Sequence, residues 1–182
     1  MGRSMPKHTI FSGLDRVMEG AFRPGHFDGV GTIVERLFRC IEPNRAYFGE
    51  KDYQQLQIIK NLVNQRELPV EVIACPIVRE ANGLAMSSRN ARLTASQRQK
   101  AAAIFRTLSL AKQHFSTSNS TEIGKSCLDE ITNDADFNLE YFQISEADSL
   151  QPAKDKLPGK KYRAFIAVHL GGVRLIDNIA LN

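Results

Sequence analysis

RAYFGEKDYQQLQIIKNLVNQRELPVEVIACPIV, residues 45–78, decides how this chain folds. Ala46 to Phe48 is a short apolar strand. From Lys51 to Arg66 the apolar residues Leu56, Ile59, Leu62 and Val63 recur at helical spacing and share one face. Val70 to Val78 is apolar apart from Glu71 and rich in β-branched residues, with Pro76 near its end, which predicts a second strand. Strand, helix and strand at this spacing predict a parallel βαβ unit with a right-handed crossover. The largely apolar run predicts a strand covered on both faces.

Upstream, Ser12-Gly13-Leu14-Asp15 has the form of a capping box with Asp in place of Glu, and predicts a short helix to about Glu19. Pro24 and the glycines at 20, 25 and 29 then predict a loop. Val30, Ile33, Val34, Leu37, Phe38 and Ile41 predict a helix that stops before Pro43. Downstream, GLAMSSRN (83–90) is a polar connection. Thr94 and Gln97 form a capping box opening a helix to about Phe115. The polar linker STSNST (116–121) follows, and Asn119 with Glu122 caps a helix to about Ile131. Leu139 to Ala147 predicts a strand and Lys154 to Lys161 a turn region. Tyr162–Leu170 and Val173–Leu181 predict a hairpin closed by Gly171-Gly172, since glycine supplies the positive φ of a two-residue turn. The pattern changes near residue 90, from parallel α/β to helices with an antiparallel sheet. The expected domains are therefore 1–90 and 91–182.

A chain of 182 residues is long enough for one large domain or two small ones, and 42% hydrophobic with 24% charged residues is ordinary for a globular protein. The net charge of +4 is modest and its cations are scattered. The densest run, Lys154 to Arg163, reads as a solvated turn, which argues against a basic nucleic-acid-binding module. Cys40, Cys75 and Cys127 are odd in number and form no Cys-x-x-Cys pair. They fit free thiols in a reducing cytoplasm and argue against a disulfide framework or zinc site. The histidines at 8, 26, 114 and 169 have no metal-ligand spacing, so no protein-built metal site is expected. No run approaches the ~18 apolar residues of a membrane span. MGRSMPKHT at the start lacks the apolar centre of a signal peptide, and Met1 to Ser4 before Met5 reads as a cloning remnant.

Two segments carry residues suited to gripping anions. Gly49-Glu50-Lys51-Asp52 joins a strand end to a helix start. Glycine permits close approach, and a helix N-terminus with Lys51 favours an anion. Lys51 and Gln55, four apart, are expected on one helix face. A solvated first turn with good dipole matching is the competing reading. In GLAMSSRN, Ser87, Ser88 and Arg89 offer hydroxyl and guanidinium donors to phosphate; a flexible inter-domain linker is the alternative. His26, in the loop RPGHF, is either a base or ligand or a structural histidine. GVGTIV (29–34) starts like a dinucleotide fingerprint, but no strand precedes it and the third glycine is missing, so it is rejected.

Taken together, RPGHFDGV (23–30), FGEKDYQQL (48–56), PIVREANGLAMSSRNARLT (76–94) and RLIDN (174–178) resemble the pantothenate synthetase family, the pantoate–β-alanine ligases. The resemblance runs from about His8 to the end and is weakest over 115–139 and 149–161. The family lies in the nucleotidyltransferase superfamily with class I aminoacyl-tRNA synthetases. That implies an α/β fold: residues 1–90 as part of a Rossmann-like nucleotide-binding domain, and 91–182 as a C-terminal α+β lid domain with antiparallel strands. It implies an ATP-dependent ligase that adenylates pantoate and then passes the pantoyl group to β-alanine, with Mg²⁺ held by the ATP phosphates. By the same resemblance, Gly49, Glu50, Lys51 and Asp52 bind ATP and Gln55 binds pantoate. Val78 meets adenine through its backbone. Met86, Ser87, Ser88 and Arg89 form the mobile loop over the triphosphate, and Lys51, Ser87, Ser88 and Arg89 serve catalysis. The family also implies a cytoplasmic homodimer.

The family's His-x-Gly-His loop has no counterpart here, since no two histidines are three apart. The expectation is therefore a C-terminal portion, roughly two-thirds of the family's length, that lacks adenylation activity, binds ATP weakly or not at all, and tends to self-associate. A cytidylyltransferase-like enzyme shares the serine-rich loop but not FGEKDYQQL, and a basic RNA-binding module is the non-enzymatic alternative.

Overall fold

The computed structural model describes residues 11–153 and 155–182. His8, the opening Met1 to Ser4 and Lys154 lie outside the described residues. The chain divides into two units, residues 1–76 and 77–182.

In the first unit, turns over Ser12–Asp15 lead to helix α1, Met18–Phe22, and α2, His26–Ile41. The predicted helix to Glu19 is thus replaced by turns, with Met18 entering α1 only at φ 42°. Helix α2 starts four residues before the expected Val30, because Gly25 caps it in a left-handed conformation at φ 76°. GVGTIV consequently lies inside α2, where no strand-to-helix turn exists. Strand β1, Arg45–Gly49, runs through a 3-10 turn, Glu50–Asp52, into α3, Tyr53–Gln65, and on to β2, Glu71–Cys75. The two strands are parallel, with Ala46 opposite Val72 and Phe48 opposite Ala74. The expected βαβ unit is present, and β2 ends before Pro76, which has no N–H for a ladder. Phe38, Ile59, Leu62, Val63 and Val70 form its core. Fully burying Ile59 or Leu62 contributes roughly 1.5–3 kcal/mol each.

In the second unit, residues 78–86 make a short hairpin joined at Arg79 and Ala85. A 3-10 turn, Ser88–Arg92, precedes α4, Ala95–Lys100. Helices α5, Ala102–His114, α6, Ser120–Cys127, and α7, Asp129–Thr132, follow. Strands β3, Phe137–Glu146, β4, Tyr162–Leu170, and β5, Val173–Ala180, form an antiparallel sheet in that order. Both capping boxes are formed, Thr94 with Gln97 and Asn119 with Glu122. Gly171 and Gly172 close the β4–β5 hairpin at φ 55° and 76°. Ile104, Leu108, Ile123, Ile131, Ile166 and Val168 build the core. Leu84 belongs to that core as well. Residues 77–90, expected in the first domain, therefore fold with the second.

In the basic run, Lys156 donates to the carbonyls of Phe115 and Ser118, Lys160 pairs with Glu146 at 3.3 Å, and Arg163 is buried. Cys40, Cys75 and Cys127 are free thiols. Among the described residues, no helix is long and apolar enough to cross a membrane.

Candidate functional site

The first candidate segment stands at the carboxyl end of β1. Gly49 is extended at φ −69°, and a Cβ placed there would meet no atom within 4 Å. Neither backbone conformation nor packing requires glycine at 49, which leaves open space on the strand end. Glu50, Lys51 and Asp52 form the 3-10 turn, and Asp52 takes ψ 57°, which breaks helical geometry before α3. Lys51 therefore lies outside α3, and its expected sharing of a helix face with Gln55 is corrected. Asp52 makes no side-chain capping bond. The first N–H groups of α3 keep their positive end without a side-chain acceptor from the cap.

Adjacent glutamines divide two tasks. Gln54 is 4% exposed; its Oε1 accepts from the Glu19 N–H at 3.0 Å, and its Nε2 donates to the carbonyls of Leu14 at 2.6 Å and Val17 at 2.8 Å. It pins the chain before α2 onto α3. Gln55 is half-buried, and its side-chain amide has no partner among the described residues. The role of Gln54 went unread in the sequence. Its signal is its place four residues before the buried Ile58, a polar residue on the apolar face.

His26 opens α2 with its ring 5.1 Å from that of Phe27. Burial, with help from Arg23, holds its pKa below the ordinary 6.5 against the opposing pull of Glu19 and Asp52. The neutral imidazole is thereby favoured.

The second candidate segment belongs to residues 77–182. GLAMSSRN is neither a plain linker nor an open loop, because two tight turns organise it. The hairpin closes through Glu80 N–H to Leu84 O at 2.8 Å and Met86 N–H to Val78 O at 2.9 Å. Gly83 sits at φ 90°, and a Cβ there would come within 2.4 Å of the Phe105 ring. Ser87 Oγ accepts the Arg89 N–H at 3.2 Å, and Ser87 O accepts the Asn90 N–H at 3.0 Å. The Ser87 hydroxyl hydrogen remains available as a donor. Ser88 is exposed and Arg89 half-buried, donating from Nη1 to the Arg174 carbonyl at 3.1 Å. Val78 and Met86 are 66% and 55% exposed, apolar side chains with no core to enter.

Two polar clusters that sequence reading missed hold this segment. Arg79 grips Asp177 with two bonds, donates to Gly83 O at 2.9 Å, and lies 4.0 Å over the Phe105 ring. The legible signal was an aspartate inside the apolar strand β5. Glu80 accepts from Arg98 at 2.9 and 3.0 Å and from Asn90 Nδ2 at 2.7 Å. Those bonds, Arg98 foremost, hold its carboxyl below the ordinary range. Among the described residues no group of three or more His, Cys, Asp or Glu could hold a metal ion.

The chain matches the family model described as Pantoate-beta-alanine ligase over residues 3–180. It is 50% identical over 180 residues to the pantothenate synthetase of Flavobacterium psychrophilum, covering 99% of this chain and 64% of that protein. The crystal structure of pantothenate synthetase from Thermus thermophilus superposes with a TM-score of 0.86 at 39% identity, over 92% of this chain and 60% of that one. Pantoate-beta-alanine ligase from Francisella tularensis, complexed with beta-gamma ATP and beta-alanine, superposes with a TM-score of 0.69 at 34% identity, over 100% of this chain and 59% of that one. The chain thus spans less than two-thirds of the length of these relatives.

Proposed function

The chain belongs to the pantoate–β-alanine ligase family, and on that premise we propose that this protein activates pantoate with ATP and joins it to β-alanine. A pantoate carboxylate oxygen attacks the α-phosphorus of ATP. The bond from that phosphorus to the bridging oxygen breaks and pyrophosphate leaves. The β-alanine amine then attacks the acyl carbon, the bond to AMP breaks, and the amine gives up a proton as the amide forms.

The segment Gly49 to Gln55 carries this reading. It combines a glycine that the fold does not require, a helix N-terminus whose capping residue Asp52 makes no side-chain bond, and a half-buried amide with no partner among the described residues. In the proposal Gly49, Glu50, Lys51 and Asp52 bind ATP, and Gln55 orients pantoate. Val78 and Met86 border the nucleotide. Ser87, Ser88 and Arg89 donate to phosphate oxygens. Lys51 and Arg89 oppose the charge that develops at phosphorus, so catalysis is positioning and electrostatic stabilisation. Mg²⁺ enters with ATP, bound by its phosphates. A homodimer in the cytoplasm completes the reading, and the three free thiols suit that compartment.

Pantoate-dependent exchange of labelled pyrophosphate into ATP tests the chemistry, with AMP and pantothenate formed once β-alanine is added. Silence of these 182 residues alone would agree with the expectation drawn from the absent His-x-Gly-His pair. Binding then tests the assignment: weak Mg-ATP affinity should fall about tenfold or more in Lys51→Ala and in Arg89→Ala. Exchange without pantoate, or a preference for CTP, would overturn the reading.

A further inference from the structure

We infer that Asn90 is a positioning residue for the segment Met86–Arg89, holding it in its ligand-facing form through a carboxylate on the neighbouring hairpin. The inference deepens the proposed function and rests on it for the ligand, but its geometry stands apart.

Asn90 is 2% exposed although it directly follows the half-buried Arg89 and exposed Ser88. Its Nδ2 donates to Glu80 Oε1 at 2.7 Å and to Ala85 O at 3.1 Å. Both groups are acceptors, so only the NH₂ end of the amide can face them. Its Oδ1 is buried with no hydrogen-bond partner among the described residues. With its oxygen unpartnered among the described residues, what this buried amide contributes is its NH₂ group. That group ties the 3-10 turn to both sides of the hairpin. The backbone completes the tie, because Asn90 N–H donates to Ser87 O at 3.0 Å. Glu80 is in turn held by Arg98 through two bonds of 2.9 and 3.0 Å. Ser87, Ser88 and Arg89 are thus strung between a buried anchor at 90 and the hairpin strand ending at Met86.

Asn90→Asp keeps the shape and replaces the NH₂ by oxygen. Its carboxylate faces the Glu80 carboxylate and the Ala85 carbonyl, with Arg98 the nearby cation. At about pH 7.5, amide hydrogen exchange over residues 86–90 should speed up about tenfold or more relative to the intrinsic rate. Exchange across β4 should stay as in the parent chain. Towards about pH 5 the carboxylate pair takes up a proton, a hydrogen bond re-forms, and protection returns. The double variant Glu80→Gln with Asn90→Asp restores a donor facing an acceptor and should recover protection at the higher pH. Mg-ATP affinity should follow the same order. Parent-like exchange in Asn90→Asp, or loss of protection spread evenly over residues 77–182, overturns the inference. If the parent chain shows no Mg-ATP binding, the exchange pattern alone decides the role of Asn90.

Discussion

Arg79 and Asp177 are 98 residues apart in sequence and meet through two hydrogen bonds, Nη1 to Oδ2 at 2.6 Å and Nη2 to Oδ1 at 3.1 Å. The Asp177 side chain is 2% exposed and that of Arg79 18%. The aspartate also accepts the Asn178 N–H at 2.7 Å, and the guanidinium holds Gly83 O. This pair fastens the hairpin that carries Val78 and Met86 to strand β5.

Removing one partner of such a pair leaves a buried charge uncompensated. Asp177→Ala should therefore lower the unfolding free energy of residues 77–182 by about 3 kcal/mol. Urea titration followed by circular dichroism measures it. A double-mutant cycle with Arg79→Met should show strong coupling, and additive losses would contradict the pairing.

The two glutamines should separate cleanly. Gln54→Ala strands two carbonyls and an N–H that lie near or in the core, and should cost about 2 kcal/mol in the first unit. Gln55→Ala should leave stability within about 0.5 kcal/mol and weaken pantoate binding far more than ATP binding. Equal effects of Gln55→Ala on both ligands would count against the pantoate assignment.

Glycine 83 and glycine 49 make a similar contrast. Gly83→Ala combines a φ of 90° with a Cβ 2.4 Å from Phe105, and should destabilise by about 1–3 kcal/mol. Gly49→Ala, extended and facing open space, should melt like the parent chain yet bind Mg-ATP more weakly. Calorimetry and nucleotide titration on the two variants read both effects.

Glu140 accepts from Arg174 at 2.7 and 3.0 Å and lies 3.1 Å from His169 Nε2. Arg174 first, and His169 second, hold its carboxyl below the ordinary range against burial. A carboxyl lowered on folding stabilises fully above its unfolded pKa, and the contribution disappears as pH falls through the lowered folded value. Urea midpoints should therefore drop on the acid side of the ordinary glutamate range, and Glu140→Gln should flatten that limb. His26 titrates with the opposite charge type. Its folded pKa lies below 6.5, so its neutral form is favoured and stability is lost as pH falls through that value. An NMR titration of its ring should give a midpoint below the ordinary one.

Much of the fold was legible because the signals are short-range. The apolar period of Leu56, Ile59, Leu62 and Val63 needs only neighbouring residues, and so do the capping boxes at Thr94 and Asn119. Gly171 and Gly172 declare a turn by their backbone freedom. The misreadings arose where a local signal lost to context. Ser12 to Asp15 looked like a cap, but its residues form turns whose carbonyl at Leu14 goes to Gln54. Helix α2 began early because Gly25 could turn left-handed, which the glycine-proline composition had suggested as loop. Residues 77–90 joined the second unit because Leu84 enters its core and Arg79 finds Asp177.

The candidate site divides along the same line. FGEKDYQQL and GLAMSSRN announced anion-gripping chemistry by residue type alone: glycine, lysine, hydroxyls and arginine in connections after strands. That Gln54 is the glutamine bound internally could not be read from residue type, because it finds its acceptors at Leu14 and Val17. Nor could the anchoring of the serine-rich segment, which depends on a carboxylate ten residues back and an arginine eighteen residues beyond that. The sequence by itself determined helices, turns and the parallel βαβ unit, because backbone preference and periodicity act within one turn or one strand. Only the tertiary structure decided which polar side chains became anchors, because a buried hydrogen bond is fixed by whatever acceptor folding brings within about 3 Å.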